Sequence, residues 1–167
     1  SDEEWNKVKQ TLEKATSNIV MYRRHEGEAL DKDLRRNIQT ISDLLASIEP
    51  FEKARVGKIR EKIEAALQEF IESDKIDKNR LEQEMIFYLE KLDINEEKVR
   101  LAQHCKYFID TMDNEEYAGK KLNFIAQEMG REINTMGSKS NDADMQRIVV
   151  QMKDNLEKIK EQVLNVL

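Results

Sequence analysis

The chain has a single proline and only five glycines among its 167 residues. A sheet-rich fold, with a tight turn between most strands, uses more of both, so long helices are expected instead. The one cysteine, Cys105, can form no internal disulfide, and a reducing, cytoplasmic setting follows as the expectation. No cysteine cluster or closely spaced histidine pair exists to build a tight zinc site, the only histidines being His25 and His104. Aromatic residues make up 6% of the chain and are scattered, so no base-stacking platform is evident. No apolar run approaches the roughly 20 residues needed to cross a bilayer. The opening SDEEWNKVKQ carries no secretion pattern, and a soluble protein is expected. Positive charge is not in excess either: 28 lysines and arginines face 34 acidic residues, for a net charge of −6. No global field draws in nucleic acid, although a local basic patch remains open. Phosphate-cradling glycine loops and the serine nucleophile elbow are absent from the sequence.

What the chain does have is apolar residues at helical spacing. Trp5, Val8, Leu12, Ala15, Ile19 and Tyr22 open a first stripe. Gly27 is expected to weaken it before a second stripe from Leu30 to Ile48, which Pro50 should end. Charges of both signs alternate outside these seams, as on solvent-exposed coiled-coil helices. After a polar break, ESDKIDKN (Glu72 to Asn79), come Leu81, Met85, Tyr88, Leu89 and Leu92, which read as a mostly buried helix. Asn95 is positioned to cap the next helix and Asn114 the one after it, with Gly137 as a left-handed C-terminal cap. The last helix uses Met145 through Val163. The expected fold is all-α: a long antiparallel helical hairpin or stalk over residues 1–76, joined to a compact helical bundle over 77–167.

Three polar groups stand out. Glu128, Glu132 and Thr135 fall within a sector of roughly 60° on one helix, with Arg131 beside them. Carboxylates at i and i+4 repel, so a divalent cation or a basic group should compensate; spacing alone favours an exposed face balanced by Arg131 and Lys121. On the preceding helix Glu97, Arg100 and His104 share the border of an apolar stripe. His104 suits acid–base work near neutral pH or metal ligation, and equally a partly exposed histidine bonded to Glu97. Any metal would be a loosely held, oxygen-ligated Mn²⁺ or Mg²⁺. Third, Ser138, Lys139, Ser140 and Asn141 precede the last helix and make either a phosphate cradle or an ordinary cap.

GKKLNFIAQEMGREINTMGSKSNDADM (Gly119 to Met145) closely resembles the C-terminal signature of the YicC-like bacterial endoribonucleases. The resemblance extends to RRHEGEAL, NRLEQEM, DINEEKVRLAQH and the terminal EKIKEQVLN, and so covers nearly the whole chain. It takes in Glu84, Asp93, Glu97, Arg100, His104, Gln127, Glu128, Arg131, Glu132, Asn134, Thr135, Ser138 and Lys139. The resemblance implies a cytoplasmic, divalent-metal-assisted ribonuclease acting on single-stranded or structured RNA as a homo-oligomer, expected to be a hexamer. Members of the family carry a separate N-terminal domain with no counterpart here, so the chain is expected to be a piece of a longer protein. Within that function, chemistry assigns Glu128 and Glu132, with Glu97, to a divalent ion and His104 to proton transfer. Arg100, Arg131, Ser138 and Lys139 are assigned to the RNA phosphates. A metal-free route, with the 2′-hydroxyl attacking and His104 as base, is the variant. The rival from another class is a non-catalytic helical module for oligomerisation or RNA binding.

Overall fold

The computed structural model describes residues 1–70 and 77–166, Phe70 by its backbone alone. Six helices account for nearly all of them: α1 (Asp2–Ser47), α2 (Glu49–Phe70), α3 (Lys78–Leu92), α4 (Asn95–Asn114), α5 (Gly119–Lys139) and α6 (Ala143–Val163). The fold is all-α, and no strand occurs among the described residues.

α1 and α2 form a long rod with one bend. The chain breaks step only at Ile48, whose N–H reaches Leu45 O while its own carbonyl accepts from Glu52 N. Pro50 does not end the stripe as expected. It sits in the first turn of α2, where a missing N–H and a fixed φ cost little. Gly27 does not interrupt α1 either, because a helix already propagated through its neighbours tolerates one glycine for about 1 kcal/mol.

α2 and α3 run antiparallel as a helical hairpin. Arg60 meets Glu82 at 2.9 Å, and nearer the base Arg55 Nη2 donates to Leu92 O at 2.6 Å. The polar break expected at Glu72 to Asn79 lies mostly outside the described residues. Its far end is clear: Asp77 Oδ1 accepts from Asn79 N and Arg80 N and so starts α3. α3 is less covered than its apolar residues suggest. Met85 is buried, while Ile86, Phe87 and Tyr88 stand exposed.

Beyond the hairpin the second half of α1 packs with α4, α5 and α6 as a closed four-helix arrangement, each helix touching two neighbours. Leu34, Ile38 and Ile41 of α1, with Ile48 at the bend, join Leu101 and Phe108 of α4, Ile125, Met129 and Ile133 of α5, and Met145, Met152 and Leu156 of α6 in one core. The core thus draws on residues from both sides of position 76. Burial of such side chains contributes about 1.5–3 kcal/mol each, set against the chain entropy lost on folding.

Several helix ends differ from the expectations. Asn95 is the first residue of α4 and not its cap; its N–H is held by Asp93 Oδ1. Asn114 closes α4, donating from Nδ2 to Asp110 O, and α5 begins only at Gly119 after Tyr117 in left-handed backbone at φ 57°. Gly119 is dictated by proximity, since a Cβ there would lie 2.7 Å from Val166 O. Gly137 is no left-handed cap: it stays inside α5, facing α6, where a Cβ would meet Val149 Cγ1 at 3.1 Å.

Candidate functional site

α4 and α5 are antiparallel, and their facing edges bring residues from all three polar groups into one row. At one end Lys139 Nζ donates to Glu97 Oε1 at 2.7 Å. Next, Arg100 Nη1 lies 4.0 Å from Glu132 Oε1 and also pairs with Glu96 one turn earlier. At the far end Lys121 Nζ sits 4.9 Å from the centre of the Tyr107 ring and bonds Glu115. His104 stands between the Arg100 and Tyr107 levels, half-buried and with no side-chain hydrogen bond among the described residues. The bond to Glu97 considered from the sequence is not made; Glu97 lies almost two turns from His104 along α4 and is taken by Lys139 of α5.

The carboxylates differ in surroundings. Glu97 is 5% exposed, and its second oxygen, Oε2, is buried without a hydrogen-bond partner among the described residues. Glu132 is nearly as buried. Glu128 pairs with Arg131 at 3.0 Å, one turn along the same helix. Lys121, expected to balance these acids, is occupied by Glu115 and Tyr107 instead, which hold its ammonium above the usual lysine range. Among the described residues no three His, Cys, Asp or Glu side chains are grouped so as to hold a metal ion. Each carboxylate assigned to that task faces a cationic side chain, and as arranged they do not fit a divalent ion.

The third polar group is built differently from the expected loop. Ser138 and Lys139 belong to the last turn of α5; Ser138 Oγ donates to Asn134 O at 3.1 Å, and Lys139 points back to Glu97. Buried Ser140 donates to Met136 O at 2.6 Å. Asp142, not Ser140 or Asn141, caps α6, its Oδ1 accepting from Asp144 N and Met145 N. Those N–H groups are the ones a phosphate would need, and a carboxylate already fills the place. Burial pushes the Asp142 carboxyl up, but Lys58 at 3.1 Å and the two backbone donors outweigh it, leaving it below the usual aspartate range.

Two features escaped the sequence. Arg55 is 6% exposed and donates to Lys139 O at 2.8 Å and to Leu92 O, tying the ends of α5 and α3 together at the α2 base. Burial lowers its guanidinium's affinity for its proton; Glu52, Asp142 and Asp93 act the other way. An arginine amid alternating charges gives no sign of such a role. Tyr107 and Phe124 are exposed rings on α4 and α5; Tyr107 continues the spacing of Arg100 and His104 and could have been read from it.

Residues 48–167 match the family described as "Endoribonuclease YicC-like, C-terminal". The chain belongs to this family. It is 35% identical over 163 residues to the probable endoribonuclease YicC of Clostridioides difficile, covering 97% of this chain and 56% of that protein. It is 31% identical over 151 residues to the probable endoribonuclease YicC of Haemophilus influenzae, covering 90% and 52%. The chain thus spans about half the length of these relatives. Among the described residues no helix is long and apolar enough to cross a membrane.

Proposed function

We propose that this YicC-like chain is the RNA-cleaving part of an endoribonuclease, and that RNA lies along the α4–α5 seam. The observation that carries the reading is His104, unbonded and half-buried in a row that sets Arg100, Lys121 and Lys139 along one edge. Family membership supports the reaction class. Arg100 and Arg131, both exposed, are free to turn toward phosphate oxygens, while Tyr107 and Phe124 offer ring faces to unpaired bases. Ser138, exposed on the last turn of α5, extends the phosphate track.

The chain's own groups then suffice for transesterification. His104 takes the proton of a ribose 2′-hydroxyl, the 2′-oxygen attacks the adjacent phosphorus, and the bond to the 5′-oxygen breaks. That oxygen takes up a proton from water, and the cations oppose the charge gathering on the phosphate. Glu97, Glu128 and Glu132 hold the cations in place, and no step is routed through Mn²⁺ or Mg²⁺. Assembly as a homo-oligomer in the cytoplasm completes the reading.

The test is incubation of the chain with end-labelled RNA, with Mn²⁺ and with EDTA, beside His104→Ala and Glu128→Gln variants. Cleavage that persists in EDTA, leaves 2′,3′-cyclic phosphate ends and falls roughly 10²–10⁴-fold in His104→Ala is the expected result. Cleavage abolished by EDTA and by Glu128→Gln would return the carboxylates to metal binding. RNA retention without cleavage would make the seam a binding surface.

A further inference from the structure

The first half of α1 projects beyond the bundle, and residues 1–29 are exposed throughout. Yet this stretch carries Trp5, Val8, Leu12, Ala15, Ile19 and Tyr22, spaced alternately by three and four residues. That is the 3.5-residue repeat of a coiled-coil seam, with Trp5, Leu12 and Ile19 at one core position and Val8, Ala15 and Tyr22 at the other. The five larger members are 49% to 67% exposed. A helix has no reason to keep a strict apolar repeat through three heptads against water.

We propose that this seam binds a second copy of the same chain, α1 against α1, in antiparallel orientation. Self-complementarity argues for it. With Trp5 of one copy level with Tyr22 of the other, Val8 meets Ile19 and Leu12 meets Ala15, so large residues face large at the ends and small residues complement larger ones between them. The flanking positions match as well. Asp2 of one copy falls beside Arg23 of the other and Glu4 beside His25, each contact made twice by symmetry. Between them Lys9 faces Thr16 and Thr11 faces Asn18, and no like charges oppose each other.

The fold itself selects the antiparallel arrangement. Trp5 and Ile41 lie about ten turns apart and so project to the same side of α1. Ile41 is buried in the four-helix core, which places the bundle on the side that the seam faces. Parallel pairing would drive two bundles into one space. Antiparallel pairing puts them at opposite ends, with the start of each α1 running toward the other copy's bundle.

Light scattering and sedimentation of the chain across a concentration series test the pairing. Association into twice the chain's mass or an even multiple is expected. Leu12→Glu with Ile19→Glu should weaken it roughly a hundredfold while leaving the cooperative unfolding of the bundle intact, since neither residue touches the core. Orientation is read with Asp2→Cys and Arg23→Cys in one chain: oxidative cross-links between position 2 and position 23 are expected by mass spectrometry. Arg23→Glu with His25→Glu should weaken association, and adding Asp2→Lys with Glu4→Lys should restore it. A chain that stays monomeric at every concentration, or an assembly indifferent to the Leu12 and Ile19 changes, overturns the proposal and leaves the seam to a different helix. Cross-links only between like positions overturn the antiparallel arrangement.

Discussion

Glu97 lies in the first turn of α4, where a negative charge is favoured by the helix dipole, but it is also buried, where charge is penalised. Lys139 reconciles the two demands with one short bond, and Arg55, donating to the Lys139 carbonyl, fixes the backbone from which that lysine extends. Removing one partner is therefore worse than removing both. Lys139→Met should lower unfolding free energy by about 2–3 kcal/mol, less than for a fully buried pair because Lys139 keeps a third of its side chain in water. Glu97→Gln added to Lys139→Met should recover most of the loss, and denaturant titration of the two variants measures both. From the sequence Glu97 read as a groove-lining or metal-ligating acid. Its burial depended on the arrival of α5, which no local pattern reports.

At the scale of the helix, apolar periodicity located the helical segments, while the ends were misread. Asn95, Asn114 and Gly137 are residue types that favour caps, yet Asp93 reaches the α4 start, Gly119 must clear Val166, and Gly137 must clear Val149. Tertiary approach, and not residue preference, sets these boundaries. Asp142 is the cap with a measurable consequence. Its carboxyl titrates below the usual aspartate range in the folded chain, so its contribution is present above the unfolded value and is lost as pH falls through the folded one. Stability should decline as pH drops below about 4, and Asp142→Asn should be less stable near neutrality while losing part of that acid dependence. Thermal melts over a pH series compare the two.

For the molecule as a whole, the all-α class was legible from few glycines, one proline and long 3.6-residue stripes. The hairpin expected over residues 1–76 is instead a bent rod whose first helix lends its second half to the bundle. The partner of each stripe was not legible. The stripes before and after Gly27 look equally apolar, and only the fold shows one enclosed and the other bare. The polar groups behave the same way: each was visible along the chain, and antiparallel packing of α4 on α5 brought residues of all three into one row.

Cys105 lies at the middle of α4 among the core residues, 4% exposed, with its thiol pushed up to about 11 by burial. It is the chain's single sulfhydryl. The molecule therefore carries its own tamper seal. An alkylating probe added to the native chain should label it only when the four helices part, so the labelling rate reports how often that happens. Protection should fall in step with the stability lost in Lys139→Met and remain unchanged in the Leu12→Glu, Ile19→Glu chain. One mass-spectrometric time course thereby distinguishes damage inside the bundle from damage to the projecting rod.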